Sequence, residues 1–289
     1  MRGVAGPDGL DHLVTADGER LEYTSRLFAS RRSTLLLFTG PRSSVVVKRV
    51  GDRDRIRDER AAIALLAHSR AAPGFVPILG LATASGAWFV HAGEVYFHMP
   101  RLGRDMVAYR AEAGDSPHWP DTALSVLATV AETLHVLWRG SGATYYDIKA
   151  RNLLAVRDLV ALAGPFSAHE VLLCDTASIN SAVATHHPPR ALTTATTPGS
   201  AARYRQYVAW GMAGTLLEML TGPDLPKKLR RTRGDPTRAP IALMRRSLDH
   251  ALVGLDPQAT ARAGGLVALL TTAFDQGDVG RLLRAIAES

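Results

Sequence analysis

The sequence lacks the cysteines that a disulfide framework requires. Cys174 is the only cysteine among 289 residues, and one thiol cannot form a disulfide within the chain. A small fold stabilised mainly by disulfides is therefore excluded. A single thiol is compatible with a reducing compartment.

Long apolar runs are absent as well. No run approaches the roughly 20 consecutive apolar residues of a membrane-spanning helix. Residues 1–11 hold glycine, proline and acidic residues where a signal peptide would carry an apolar stretch. Hydrophobic residues make up 46% of the chain and charged residues 21%, which is ordinary for a globular protein. We therefore expect an intracellular, soluble protein with no membrane partner.

Negative charge is in deficit. The chain has 27 acidic residues against 34 lysines and arginines, and its net charge is +7. Residues 226–233, PKKLRRTR, place five cations in eight positions. Such a run is a candidate nuclear-import signal or nucleic-acid patch, and a solvated loop explains it equally well. The nucleus is therefore the alternative to the cytoplasm, and nucleic acid is a partner that no binding motif supports.

The first hundred residues have mainly the pattern of strands. Residues 1–18 are polar and rich in glycine, and we expect a flexible leader there. The predicted strands are Leu21–Leu27, Thr34–Phe38, Ser44–Val50, Phe75–Leu81, Trp88–His91 and Val95–Met99. One amphipathic helix is predicted among them, at Asp54–His68.

Helical patterns dominate beyond about residue 105. The predicted helices are Asp121–Trp138, which ends before Gly140, Val208–Leu220, Ile241–Leu252 and Gly265–Phe274. Strands followed by helices predict an α+β fold with a small sheet lobe and a larger helical lobe. The predicted boundaries are a leader at 1–18, an N-lobe at 19–98, a hinge at 99–103 and a C-lobe at 104–289.

Residues 145–154, YYDIKARNLL, carry the most specific motif of the chain. They resemble the catalytic loop H-R-D-x-K-x-x-N-L-L of protein kinases, and a lysine two residues after the aspartate resembles the Ser/Thr-directed branch. The resemblance implies a bilobal protein-kinase-like fold. It also implies that Asp147 accepts or orients the proton of the substrate hydroxyl, that Lys149 neutralises the transferring phosphoryl group, and that Asn152 ligates a metal ion. The alternative for this motif alone is a helix-to-strand turn with three solvated polar residues.

A second motif follows an apolar strand. Asp175 comes after residues 171–174, VLLC, and stands where kinases have the D-F-G aspartate. The resemblance implies that Asp175 chelates Mg²⁺ bridging the phosphates of ATP. Thr176 and Ala177 replace phenylalanine and glycine, and residues 156–170 are predicted to form an enlarged hairpin between the two motifs.

The N-lobe and the hinge supply the remaining candidates. Lys48 ends the run VVVK and resembles the strand lysine that binds the α- and β-phosphates, and Glu59, 11 residues later, is its proposed partner. At the predicted hinge, the resemblance implies that backbone groups near Met99 and Arg101 meet adenine and that Asp105 reaches the ribose. Each of these side chains is otherwise an ordinary surface or turn residue.

Several positions depart from the kinase pattern. Residues 28–33, at the place of the glycine-rich phosphate loop, contain no glycine. Tyr145 and Tyr146 replace a histidine that scaffolds the core and an arginine that pairs with an activation-loop phosphate. Val208 replaces a buried aspartate that anchors the catalytic loop. The 99–101 hinge, the divergent phosphate loop and the altered D-F-G resemble the conserved protein kinases of herpesviruses.

The sequence thus predicts a Ser/Thr protein kinase that uses ATP and Mg²⁺ to phosphorylate hydroxyls of protein substrates. One alternative is a pseudokinase that acts as a nucleotide- or protein-binding scaffold, which the missing glycines and Val208 favour. Small-molecule phosphotransfer on the same fold is a third reading, because a fold alone does not choose a substrate.

Overall fold

The chain forms two compact units that divide after Leu102. The computed structural model describes residues 6–30, 33–77, 88–162, 164–181, 186 and 201–222. The predicted helices at 241–252 and 265–274 and the basic run at 226–233 lie outside the described residues, as do Arg31 and Arg32 of the predicted phosphate loop.

A six-stranded antiparallel sheet dominates the first unit. Its strands are β1 (His12–Val14), β2 (Arg20–Ala29), β3 (Ser33–Thr39), β4 (Ser44–Val50), β5 (Trp88–His91) and β6 (Glu94–Pro100). They stand in the order β1-β2-β3-β4-β6-β5. Alternating burial along β2 and β3 gives the sheet one core face, on which Leu21, Leu36 and Phe38 are fully buried.

Strand β1 lies inside the segment that the sequence assigned to a leader. Leu13 pairs with Leu21 of β2, and Leu10 and Leu13 are both buried in the core of the sheet. Two leucines in an otherwise polar, glycine-rich stretch are enough to hold this short strand, because each covers apolar surface of β2 and β3. The expectation of a flexible leader is therefore wrong for residues 12–14.

Helix α1 (Arg53–Leu66) follows β4. The Asp52 side chain accepts hydrogen bonds from the backbone N–H groups of Asp54 and Arg55, so the helix begins one residue before the predicted start. Only residues 75–77 of the predicted strand at Phe75–Leu81 are described, and of these Phe75 forms an isolated β-bridge. Phe75 and Val76 are buried after a 3₁₀ turn at Ala72–Gly74, and Pro77 has no N–H group to donate to a sheet.

The second unit is mainly helical. Its described helices are α2 (Met106–Ala113), α3 (Trp119–Ser141), α4 (Leu159–Leu162) and α5 (Ala201–Thr221). Helix α3 passes through Gly140, where the sequence predicted its end, and stops at Ser141 instead. Gly142 adopts a left-handed conformation with φ of 67° and donates to Trp138 O, which closes the helix. Among the described residues, no helix is both long and apolar enough to cross a bilayer.

A small antiparallel sheet connects the helices of the second unit. Its strands are β7 (Arg104–Asp105), β8 (Leu153–Ala155) and β9 (Val171–Leu173), with β8 in the centre. Residues 156–170 join β8 to β9 as the predicted enlarged hairpin and contain α4. Gly103 has φ of 48°, and a Cβ atom there would lie 1.6 Å from the carbonyl oxygen of Ala155, so β7 can approach β8 only with glycine at this position.

Candidate active site

The β8–β9 hairpin brings the two predicted metal ligands to one end of the small sheet. Asn152 directly precedes β8, and Asp175 follows β9 by two residues. The strands are antiparallel with Leu153 opposite Leu173, and Cys174 N donates to Asn152 O at 2.9 Å. Antiparallel pairing therefore places the start of one strand beside the end of the other.

Two predicted catalytic-loop residues, Lys149 and Asn152, converge on the carboxylate of a third, Asp147. Lys149 Nζ lies 2.6 Å from Asp147 Oδ2, and Asn152 Nδ2 lies 3.1 Å from the same oxygen. Asn152 Nδ2 also donates to Asp147 O at 2.8 Å. Asp147 and Asn152 are 3% and 6% exposed, so the alternative of a turn with solvated polar residues is wrong for both of them.

The local backbone explains this convergence. Lys149 is extended, with φ of −159° and ψ of 155°, and residues Ala150–Asn152 then form one 3₁₀ turn. Asn152 N donates to Lys149 O at 2.9 Å, which closes that turn. The reversal carries the Asn152 side chain back to Asp147, five residues earlier, and Lys149 reaches the same carboxylate.

The oxygen atoms of Asn152 and Asp175 suit a hard cation such as Mg²⁺. Within the described part of the chain, the Asn152 side chain forms its hydrogen bonds through Nδ2, which leaves Oδ1 as a candidate ligand. Asp175 has a left-handed backbone with φ of 59°, and its Oδ2 accepts from Ser178 Oγ at 2.9 Å. The described residues contain no group of three or more His, Cys, Asp or Glu side chains that could hold a metal. Mg²⁺ commonly takes one or two protein ligands and completes its shell with phosphate oxygens and water, so this pair fits that ion.

Tyr145 supports the loop from inside the core. Its side chain is fully buried, its hydroxyl donates to Cys174 O at 2.8 Å, and Asn152 Nδ2 lies 3.4 Å from the same hydroxyl. Burial, with the nearby Asp175 carboxylate, raises the pKa of Tyr145 well above 10, so the phenol stays a neutral donor. Tyr145 thus connects the two motifs, at the position where the kinase pattern has a histidine.

Tyr146 lies in an aromatic cluster. Its ring meets the rings of Tyr204 and Tyr207 edge-on, with centroids 5.5 and 5.1 Å away. Tyr204 also stacks on Trp138 at 4.7 Å. Aromatic packing thus occupies a position where the kinase pattern has an arginine, and it offers a phosphate no cation.

Glu218 is a functional candidate that the sequence reasoning missed. Its Oε2 accepts from the backbone N–H of Ala150 at 2.9 Å and lies 3.4 Å from His186 Nε2. Val208, at the place of the expected aspartate anchor, is buried and apolar. The available signal was that Glu218 is the one charged residue between positions 208 and 220 of an apolar helix.

Within the first unit, Lys48 and Glu59 form a buried ion pair. Lys48 Nζ contacts Glu59 Oε1, and the two side chains are 8% and 1% exposed. Lys48 lies on β4 and Glu59 on the buried side of α1. The structure thus brings these two predicted residues together, although only 11 residues separate them.

The residues predicted to bind adenine and ribose are held in place by hydrogen bonds that involve backbone groups. Met99 pairs with Val46 across β4 and β6, and Arg101 N donates to Ser44 O at 3.2 Å. Asp105 is the N-cap of α2, and its Oδ1 accepts from the N–H groups of Val107 and Ala108, both at 2.9 Å. One carboxylate oxygen of Asp105 therefore has a structural role, and its second oxygen is the candidate for a ribose hydroxyl.

Comparison with known proteins gives a structural match. No family model and no curated protein matches the chain. Among solved structures, the chain is similar to the kinase domain of PknI from Mycobacterium tuberculosis, crystallised as a point mutant, with a TM-score of 0.56 and 15% sequence identity. The match covers 93% of this chain and 94% of that one.

The chain has a protein-kinase-like fold. The predicted α+β class, with a β-rich N-lobe and a mainly helical C-lobe, is confirmed.

The N-lobe turn between β2 and β3 departs from the glycine-rich loop of kinases. Ser30 N donates to Ser33 O at 2.9 Å, and Ser33 N donates to Ser30 Oγ at 3.1 Å. The amides of Ser30 and Ser33 are thus used inside the turn. A glycine-rich loop instead directs its amides toward phosphates.

Proposed function

We propose that the chain is a Ser/Thr protein kinase that transfers the γ-phosphate of ATP to hydroxyls of protein substrates, with Mg²⁺ as cofactor. The observation that supports this most is the convergence of Lys149 and Asn152 on the buried Asp147 carboxylate. Burying a charge is costly unless it is paired and hydrogen-bonded. A fold that keeps all three groups together is most simply explained by phosphoryl transfer, which needs positioned charges more than covalent chemistry.

In this mechanism Asp147 handles the substrate hydroxyl. Its carboxylate orients the O–H group and takes up the proton as the hydroxyl oxygen bonds to the γ-phosphorus. The bond between that phosphorus and the β–γ bridging oxygen breaks, and ADP leaves with the electron pair. Lys149, within 2.6 Å of the same carboxylate, offsets negative charge that develops on the phosphoryl oxygens.

Asn152 and Asp175 would hold Mg²⁺ through Oδ1 and a carboxylate oxygen. When bound, the ion would supply positive charge that lowers the repulsion among the phosphate oxygens. Lys48 would bind the α- and β-phosphates, with Glu59 fixing the position of the ammonium group. Backbone groups near Met99 and Arg101 would meet adenine, and Asp105 would bind the ribose. The protein substrates, the herpesvirus subgroup and a nuclear location stay predictions.

The decisive experiment measures transfer of radiolabelled phosphate from ATP to a generic acceptor protein, with several divalent metals. We expect incorporation by the parent chain and a loss of about a thousandfold or more in Asp147→Asn and Asp175→Ala, because each removes charge from the reacting centre. Asp115→Asn is the matched control, since Asp115 is an exposed carboxylate of the same unit, and it should retain full activity.

Two outcomes would contradict the proposal. Full phosphate transfer by Asp147→Asn would mean that Asp147 does not act on the substrate hydroxyl. No incorporation above the Asp175→Ala background with any metal would favour the pseudokinase, which the occupied amides of Ser30 and Ser33 also support. A pseudokinase would still bind ATP or a protein partner without turnover. Labelling of small hydroxyl compounds in place of proteins would favour small-molecule phosphotransfer.

A further inference from the structure

The backbone N–H of Ala150 needs an acceptor that its own loop does not provide. Ala150 is fully buried, follows Lys149 directly and is the first residue of the 3₁₀ turn, where an N–H group has no partner within the turn. A buried N–H without an acceptor is rarely tolerated. The carboxylate of Glu218 accepts this hydrogen bond at 2.9 Å, across 68 residues of sequence.

Glu218 stands at an unfavourable place for a carboxylate. It lies in the last turn of α5, where the helix dipole disfavours negative charge, and it is 6% exposed. Its Oε2 accepts from the N–H of Ala150, and His186 Nε2 lies 3.4 Å from the same oxygen. A carboxylate kept here at such a cost indicates a specific task.

The His186 ring is held against Glu218 by the shape of α5. Gly214 lies one helical turn before Glu218, and a Cβ atom at position 214 would lie 2.6 Å from Cγ and Nδ1 of His186. The ring therefore occupies the space that a side chain at position 214 would take. His186, with 1% of its side chain exposed, thus braces the Glu218 carboxylate inside the core.

We propose that Glu218, braced by His186, is a positioning residue for the catalytic loop. It fixes Ala150, and so sets Lys149 and Asn152 on either side of that residue relative to Asp147. This deepens the proposed function, on which its expected effect on phosphotransfer rests. Neither Glu218 nor His186 touches the reacting atoms.

Two measurements on the full chain test the proposal. Amide hydrogen exchange at Ala150 reports the anchoring in every variant that is folded by circular dichroism. Turnover with radiolabelled ATP gives kcat and the KM for ATP. Glu218→Ala should accelerate exchange at Ala150 and lower kcat by about ten- to a hundredfold, with KM for ATP within about twofold of the parent, since misplacing catalytic groups by about 1 Å costs that much. Glu218→Gln retains an acceptor oxygen and should restore most of the protection.

A glycine pair separates the brace from general effects on the helices. Gly214→Ala should displace the His186 ring, accelerate exchange at Ala150 and lower kcat, although alanine favours a helix over glycine. Gly140→Ala is the matched control, because Gly140 lies within α3 with no atom within 4 Å of the added Cβ, and it should change neither measurement. Should Glu218→Ala fail to fold, Glu218→Gln and Gly214→Ala decide the matter.

Unchanged exchange at Ala150 in folded Glu218→Ala would overturn the anchoring. Parent-like exchange and kcat in Gly214→Ala would overturn the role of His186. If the parent chain transfers no phosphate, the proposed function fails, and the exchange data alone still decide whether Glu218 holds the loop.

Discussion

At the scale of single residues, the predicted catalytic loop is held by side chains that the kinase pattern does not specify. Tyr145 replaces a histidine and still hydrogen-bonds to Cys174 O, and Glu218 supplies an acceptor although Val208 cannot. The loop requires a donor or an acceptor at a given point in space, and different residue types on different turns can provide it.

Removing the Tyr145 hydroxyl should weaken this scaffold. In Tyr145→Phe the carbonyl of Cys174 loses this part-buried hydrogen bond, so we expect a loss of about 1–2 kcal/mol in the free energy of unfolding at pH 7. Urea unfolding followed by circular dichroism measures it. A loss below about 0.5 kcal/mol would mean that the hydroxyl contributes nothing to stability.

Burial of the same phenol predicts a pH dependence. Burial raises the pKa of Tyr145 above 10, and it also raises the pKa of Tyr204. Above pH 10 the unfolded chain releases these protons while the folded chain keeps them, so stability is full below pH 10 and falls as pH rises further. The limiting slope is about 1.4 kcal/mol per pH unit for each tyrosine. Urea unfolding between pH 8 and about 11 tests this, and Tyr145→Phe should have a shallower slope; an equal slope would contradict the prediction.

The Lys48–Glu59 pair makes a separate stability prediction. Glu59→Ala leaves the Lys48 ammonium buried without its carboxylate, so we expect the free energy of unfolding of the N-lobe to fall by about 3–5 kcal/mol. Replacing both residues, as Lys48→Met with Glu59→Leu, removes both buried charges and should recover most of that loss. Denaturant unfolding of the three chains measures it, and a double variant as unstable as Glu59→Ala would argue against a desolvated pair.

At the scale of elements, hydrophobic periodicity predicted the long helices and strands and missed the short ones. Helix α3 and strand β4 were predicted close to their observed bounds, because each has enough apolar residues to display its period. Strand β1, with three residues, and helix α2, with eight, were missed. Elements this short depend on a few specific contacts. Strand β1 is held by Leu10 and Leu13, which pack against the sheet, and helix α2 begins at the N-cap hydrogen bonds of Asp105.

The approach of β7 to β8 makes a prediction at this scale. Gly103 and Gly142 both have a left-handed backbone. A Cβ added at Gly103 would overlap the carbonyl oxygen of Ala155, whereas a Cβ added at Gly142 would have no atom within 4 Å. We expect a cost of about 1 kcal/mol for Gly142→Ala from backbone strain alone. Gly103→Ala should cost about 1–3 kcal/mol more, because the strand must shift. Thermal unfolding of both variants gives the difference, and equal costs would contradict the crowding at Gly103.

At the scale of the whole molecule, the fold was easier to predict from the sequence than the long-range contacts that hold the candidate site. The order of strands and helices and the positions of Asp147, Asn152 and Asp175 could be found from the sequence, because the motif spacing is local. The acceptor for Ala150 could not, because 68 residues separate it from Glu218 and no periodicity relates the two. A match at 15% identity shows how few residues such a fold needs to retain.

Binding of Mg²⁺ and ATP to the whole chain should raise its melting temperature. A ligand that binds only the folded state at about 100 times its Kd adds roughly 2.7 kcal/mol of stability. Differential scanning fluorimetry should show an upward shift with Mg²⁺ and ATP together, a smaller one with ATP and a chelator, and no metal-dependent part in Asp175→Ala. A metal-dependent shift in melting temperature that is retained in Asp175→Ala would mean that another residue binds the metal.

The β8–β9 hairpin also makes the chain suitable for engineering. Its proposed metal ligands, Asn152 and Asp175, lie at one end, and its connection leaves from the other end, where Ala155 pairs with Val171. Both sides of that connection are fastened, by the hydrogen bonds of Tyr109 to Asp158 and of Thr129 to Phe166 O, while Leu162 between them is exposed. A fluorescent reporter joined directly after Leu162, at the end of α4, should therefore leave the proposed metal ligands undisturbed, because extra length at an exposed position between two anchored segments costs little closure entropy.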